Sequence, residues 1–137
     1  MQNWMKSGSL LLMLVVIAGC SNGSAGKKPL PTAAVSGTVE LAGKPLEDGE
    51  IKLLVQGESP SVIAIKAGKF SGNASVGDNH VEIRGFRTGK PIMMNDTPVG
   101  EPIRENYIAE QFNDRSTLKA KIEAKGTTDL KFEVESK

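Results

Sequence analysis

Two segments near the carboxyl end constrain the fold most. Residues 118–125 read Leu, Lys, Ala, Lys, Ile, Glu, Ala, Lys, and residues 130–135 read Leu, Lys, Phe, Glu, Val, Glu. A period of two puts every apolar side chain on one face and every charge on the other, which suits a half-buried strand and not a helix. The same period runs through the preceding chain. Val35, Gly37, Val39 and Leu41 alternate with Ser36, Thr38 and Glu40, and Ile51, Leu53 and Val55 share a face. A short apolar run, Val62-Ile63-Ala64-Ile65, is followed by Phe70, Gly72, Ala74 and Val76, and then by Val81 and Ile83 opposed to His80, Glu82 and Arg84. Pro and Gly clusters separate these runs at residues 43–49, 57–60, 67–68, 77–79 and 126–128 and supply turn geometry.

Seven strands result, each with one wet face, and parallel strands buried on both sides would read as continuous apolar runs instead. The expectation is an all-β, seven-stranded antiparallel β-sandwich over residues 34–137. Phe86 falls on the wrong parity, and a bulge at Gly85 would return it to the inner face. Tyr107, Ile108, Gln111 and Phe112 have the spacing of about one helical turn, broken by Asn113-Asp114, and are expected to plug an open end of the sandwich. Residues 88–106 show no strand pattern and exceed the usual hairpin connection, so they are either functional or a wrapping loop.

The amino-terminal end has a different character. After Lys6, residues 10–16 are wholly apolar, and the run closes on Ile17-Ala18-Gly19-Cys20. The run has signal-peptide length and is too short to remain as a spanning helix. Its last four residues resemble the bacterial lipobox, in which Ile17, Ala18 and Gly19 would be read by the signal peptidase and Cys20 acylated. Lipidation also accounts for a lone cysteine in an exported chain. Residues 1–19 are therefore read as a signal helix and 20–33 as the lipidated cysteine with a flexible linker. The Ser, Gly, Lys and Pro of residues 21–33 would span about 20 Å root mean square. Ser21, in place of Asp, favours the outer membrane of a bacterial envelope over inner-membrane retention.

With Lys6 removed, the 17 basic side chains fall to 16 and equal the 16 acidic ones. That balance provides no excess of cations for phosphates, so nucleic acid is excluded as a partner. Without a second cysteine no internal disulfide can form, and stability must come from packing.

The strings Val35-Ser36-Gly37-Thr38-Val39, Gly43-Lys44-Pro45-Leu46 and Gly49-Glu50-Ile51 resemble the opening of transthyretin-like and carboxypeptidase-regulatory-like sandwich modules. Gly68-Lys69-Phe70, His80-Val81-Glu82-Ile83-Arg84, Arg87-Thr88-Gly89-Lys90 and residues 107–118 follow in the order of small bacterial envelope lipoproteins with this fold. The resemblance covers residues 35–136, with Ala109 where that pattern has Pro and Phe112 where Tyr is common. It implies an immunoglobulin-like or transthyretin-like sandwich at a membrane surface and assigns no activity.

The hydroxyisourate hydrolase of this fold uses several histidines and a carboxyl-terminal Tyr-Arg-Gly-Ser, whereas this chain has one histidine, His80, and ends Glu135-Ser136-Lys137. No enzyme, cofactor or metal is expected. Asp78, His80 and Glu82 lack a recognisable ligand spacing, and Met93-Met94 reads as loop filler. A Lys–Asn isopeptide would need an Asn in the last strand, which has none.

The expected role is structural or protein-interaction, with the membrane engaged through Cys20. The alternative is a small-ligand or glycan-binding module on the 88–106 loop. Arg84, Phe86, Arg87, Lys90, Arg104 and Tyr107 are the candidate contacts for an envelope protein or glycan, because arginine and aromatic side chains provide the usual polar and stacking contacts.

Overall fold

The computed structural model describes residues 26–137. Ile17, Ala18, Gly19 and Cys20, with the signal segment and the first part of the linker, lie outside the described residues. The strands are β1 (Thr32–Leu41), β2 (Lys44–Pro45), β3 (Asp48–Leu54), β4 (Ser61–Lys66), β5 (Lys69–Ser75) and β6 (Gly77–Thr88). They continue with β7 (Ile92–Met94), β8 (Thr97–Val99), β9 (Arg104–Asn106), β10 (Lys119–Ile122) and β11 (Thr127–Val134). Among the described residues the helical content is one 3-10 turn, Glu110–Phe112.

Seven strands make the main path, in the order β10-β6-β3-β4-β5-β1-β11. They are the seven that the period of two marks. The short β2 pairs with β1 and the short β9 with β6. The path curls on itself, because β4 and β5 pair only at Lys66↔Lys69, beside the turn where Ala67 (φ 49°) and Gly68 (φ 74°) are left-handed. Beyond that pair the two strands part. The β10-β6-β3-β4 half then folds over the β5-β1-β11 half in a sandwich-like all-β fold. Ile51, Leu53, Ile63, Ile65, Val81, Ile83, Ala120 and Ile122 from the first half bury against Val35, Val39, Phe70, Ala74 and Val134 from the second. Each such Val, Leu, Ile or Phe side chain contributes about 1.5–3 kcal/mol on full burial.

One pairing departs from the antiparallel expectation. β1 and β11 run parallel, with Thr38↔Lys131, Val39↔Phe132 and Leu41↔Val134 in register. Alternation could not reveal this, since β11 is an edge strand with Lys131 and Glu133 in solvent, and a parallel edge keeps the same wet face as an antiparallel one. The register slips by one residue between Val35↔Thr127 and Gly37↔Leu130, and Asp129 takes up the extra residue at φ 60°. Gly37 permits the close contact there, because a Cβ on it would stand 2.2 Å from the Leu130 carbonyl oxygen.

The plug forms as expected. Ile108 is fully buried, with Tyr107 and Phe112 packed beside it. Polar side chains hold the segment in place. Asn106 Oδ1 accepts from the amides of Gly85 (3.3 Å) and Ile108 (3.1 Å), and buried Asn113 donates to the carbonyls of Ile108 (3.2 Å) and Ala109 (2.9 Å). Ser116 Oγ donates to the Val81 carbonyl at 2.5 Å and accepts from the Leu118 amide at 3.1 Å. At the opposite end the Asn79 amide closes the β5–β6 corner, donating to Ser75 (2.8 Å) and Gly77 (3.0 Å) carbonyls. The turn expected at residues 77–79 is therefore already strand.

Candidate functional site

β6 is the spine on which the candidate residues hang. Asn79, Val81, Ile83 and Gly85 point inward and His80, Glu82, Arg84 and Phe86 outward, an alternation that never breaks. The bulge expected at Gly85 is absent, since the β3–β6 register passes from Ile51↔Ile83 through Glu50↔Arg84 to Gly49↔Gly85 without a slip. Phe86 accordingly stays on the outer face. The inward slot beside it is filled from elsewhere, because a Cβ on Gly85 would lie 2.9 Å from Ile108 Cγ1 and from Leu46 Cδ1.

β9 returns along β6 with Phe86↔Asn106 and Thr88↔Arg104 in register, which lays the Arg104 guanidinium 4.3 Å from the Phe86 ring centroid. The same guanidinium donates to Asp48 Oδ2 at 2.5 Å, and Lys66 donates to the other Asp48 oxygen. Hydrogen bonds from Lys66 and then Arg104 hold the Asp48 carboxyl below its ordinary 3.8. A shallow groove of about 280 Å³ opens between Asp48, Glu50, Val62, Phe86 and Arg104. Arg84 is also engaged, by Asp114 at 2.6 Å, Glu82 at 3.4 Å and Glu50 at 4.0 Å, and Glu82 takes Lys52 at 3.4 Å as well.

Arg87 lies on the other side of the strand, with Nε 3.3 Å from Glu105 and its guanidinium 5.6 Å from the Tyr107 ring centroid. The six expected contacts therefore do not converge. Arg84, Phe86 and Arg104 share one face, Arg87 and Tyr107 form a second pair, and Lys90 stands exposed in the connection to β7. Both candidate rings already carry an arginine. His80 sits outward on β6 between Leu54 and Lys119. Among the described residues no group of three or more His, Cys, Asp or Glu side chains is gathered to hold a metal ion.

The sequence reading missed what the 88–106 connection contains. β7 and β8 form a separate two-stranded ribbon with Ile92↔Val99, Met93↔Pro98 and Met94↔Thr97 opposed. Its turn is tight because Asn95 (φ 49°) and Asp96 (φ 62°) are both left-handed, a conformation Asn and Asp adopt more readily than other side chains. Asn95-Asp96 between two short apolar segments was the available signal, weakened by the lack of glycine. Met93 and Met94 lie in this ribbon and not in an irregular loop: with Ile92 and Ile103 they are each more than half exposed, and Met94 is 64% exposed. Alternation puts Ile92 and Met94 on one side of the ribbon and Met93 on the other.

The ribbon's position follows from β6. Pro31 accepts from the Val76 amide at 2.8 Å and Thr32 pairs with Ser75, so the chain enters the domain beside the start of β6, and the ribbon leaves beyond its end. The 12 residues of β6 span about 40 Å. Among the described residues no helix is long and apolar enough to cross a membrane.

No family model matches the chain, and no curated protein matches it. Among solved structures, a DUF3823 family protein from Parabacteroides merdae ATCC 43184 is similar over 78% of this chain, at 19% identity and a TM-score of 0.43. The chain spans 47% of that protein's length.

Proposed function

We propose that this is a lipid-anchored protein of the bacterial cell envelope, whose sandwich, a transthyretin-like or carboxypeptidase-regulatory-like module, serves a structural or protein-interaction role without catalysis. The observation that carries the interaction role is the β7–β8 ribbon. Four of the five exposed large hydrophobic side chains of the described residues, Ile92, Met93, Met94 and Ile103, lie in this one connection, and Val62 is the fifth. Solvent-exposed apolar groups clustered in this way are characteristic of contact surfaces. An anchor at Cys20 would tether the domain through β1, whose Thr32 pairs with Ser75 just before β6 begins. The glycan alternative on Phe86 or Tyr107 is less well supported, because a stacked sugar would first have to displace Arg104 or Arg87.

Two measurements test this reading. Cys20→Ser is expected to abolish incorporation of labelled palmitate, and label that persists overturns the anchor. A photo-crosslinking side chain at Met93 is expected to give discrete protein adducts in intact cells, while the same group at Val62 gives none. Equal adducts at the two positions, or none at Met93, overturn the interaction role.

A further inference from the structure

The two outer faces of the sandwich handle charge in opposite ways. On the β3–β6 face unlike charges are paired, Lys52 with Glu82 and Arg84 with Glu50 and Glu82. On the β5–β1–β11 face they are segregated. The ladders place Lys69 beside Thr38 and Thr38 beside Lys131, so two lysines flank one hydroxyl in a single row across three strands. One row further along, Glu40 stands directly beside Glu133. Like charges opposed across strands are destabilising unless something neutralises them. The ion pairs of the described residues leave out all four of these side chains.

The lysine row borders a groove of about 520 Å³, within the roughly 300–1,000 Å³ usual for small-ligand sites. Gly37 and the exposed Ala64 supply apolar surface, Ser36, Thr38 and Ser71 supply hydroxyls, and Asp129 is the one acid, while the Phe70 ring lies beneath in the core. Lys66 also reaches the groove, but its ammonium is held by Asp48.

We propose that this groove binds an anionic saccharide. Lys69 and Lys131 have Cα atoms about two strand spacings apart, roughly 9–10 Å, so their long side chains converge on one anionic group above Thr38. A single small anion would leave most of the groove empty. A sugar ring carrying a carboxylate, sulfate or phosphate fills it, with its C–H edge against Gly37 and Ala64 and its hydroxyls on Ser36, Ser71 and Asp129. The Glu40–Glu133 row repels anions, which directs the chain of sugars towards Ser36 and Ser71. The site lies outside the 88–106 connection and does not depend on the ribbon or on the anchor.

The test is a titration of the full chain in non-ionic detergent, followed by backbone amide NMR shifts. The probes are trigalacturonate, a sulfated disaccharide, inorganic phosphate and uncharged maltotriose. Either or both charged saccharides are expected to shift the Thr38, Lys69 and Lys131 amides, more weakly as salt is added. Which of the two binds tighter identifies the anionic group. Lys69→Gln with Lys131→Gln is expected to weaken binding about tenfold or more while the β3 and β6 amides keep their positions. Lys52→Gln, on the opposite face, is expected to leave binding unchanged. Saturation by phosphate or maltotriose at the same concentration as the charged saccharides overturns the proposal. So does unchanged affinity in the double variant, or shifts confined to other surfaces.

Discussion

At the scale of single residues, Gly85 and Ile108 are one unit. The glycine leaves an inward slot on β6, and a side chain 23 positions later in the sequence fills it. Ile108→Ala is expected to cost about 2–5 kcal/mol by opening a cavity between Leu46 and β6, read as a lower urea midpoint at unchanged slope. Gly85→Val is expected to be equally damaging for the opposite reason, since its side chain would need space that Ile108 and Leu46 occupy. Neither effect is legible in the sequence, where Gly85 looks like a bulge site; only the plug's position explains why a glycine is required. Asp48 carries a pH dependence. Its folded carboxyl titrates below the ordinary value because Lys66 and Arg104 donate to it, so its stabilisation is present above about pH 4 and is lost as pH falls through the folded pKa. Asp48→Asn is therefore expected to be less stable than the parent at about pH 7, by a margin that shrinks as the pH falls through the folded pKa. Equilibrium unfolding of both chains across the acid range measures the difference.

At the scale of elements, the period of two located all seven principal strands, because each keeps one wet face whatever its neighbours are. The 88–106 connection escaped the same reading for a physical reason. β7 and β8 have three residues each, too short for a period to register, and their side chains are exposed on both sides of the ribbon, so no buried face imposes an alternation. The same exposure predicts that the ribbon contributes little to stability. Replacing residues 91–99 by a short Gly-Ser link is expected to leave the unfolding free energy, measured by urea unfolding, within about 0.5 kcal/mol. β9 is different, because Arg104 ties it to both Phe86 and Asp48. Arg104→Ala is expected to speed hydrogen exchange at the Gly89 amide, which donates to the Ile103 carbonyl at 2.7 Å, while the β3–β4 ladder keeps its protection.

At the scale of the whole molecule, the fold is closed by its two ends. β1 and β11 are among the most distant strands in sequence, yet they pair along their length and cover Val35, Val39 and Phe70. The last residues carry the closure further, with the Ala109 amide donating to Glu135 (2.9 Å) and the Lys137 amide to Tyr107 (3.0 Å). Deleting residues 127–137 is expected to abolish the cooperative unfolding transition, because it strips one wall from the core and releases the plug. A chain that still unfolds cooperatively without them would show that the β1–β11 ladder is dispensable.

The sequence by itself determined the strand positions, the inward set of side chains and the apolar plug, all of which follow from local alternation and turn chemistry. It also contains the leader and Cys20, on which the proposed address rests. The tertiary structure decided the parallel β1–β11 pairing, the outward place of Phe86 and the dispersal of the candidate arginines into internal ion pairs. Each of these depends on which distant strand lies alongside, and a repeat of two residues marks the face a side chain takes without marking its neighbour. The row of Lys69, Thr38 and Lys131 has the same origin: three strands contribute one residue each, and only their register sets a lysine on either side of one threonine.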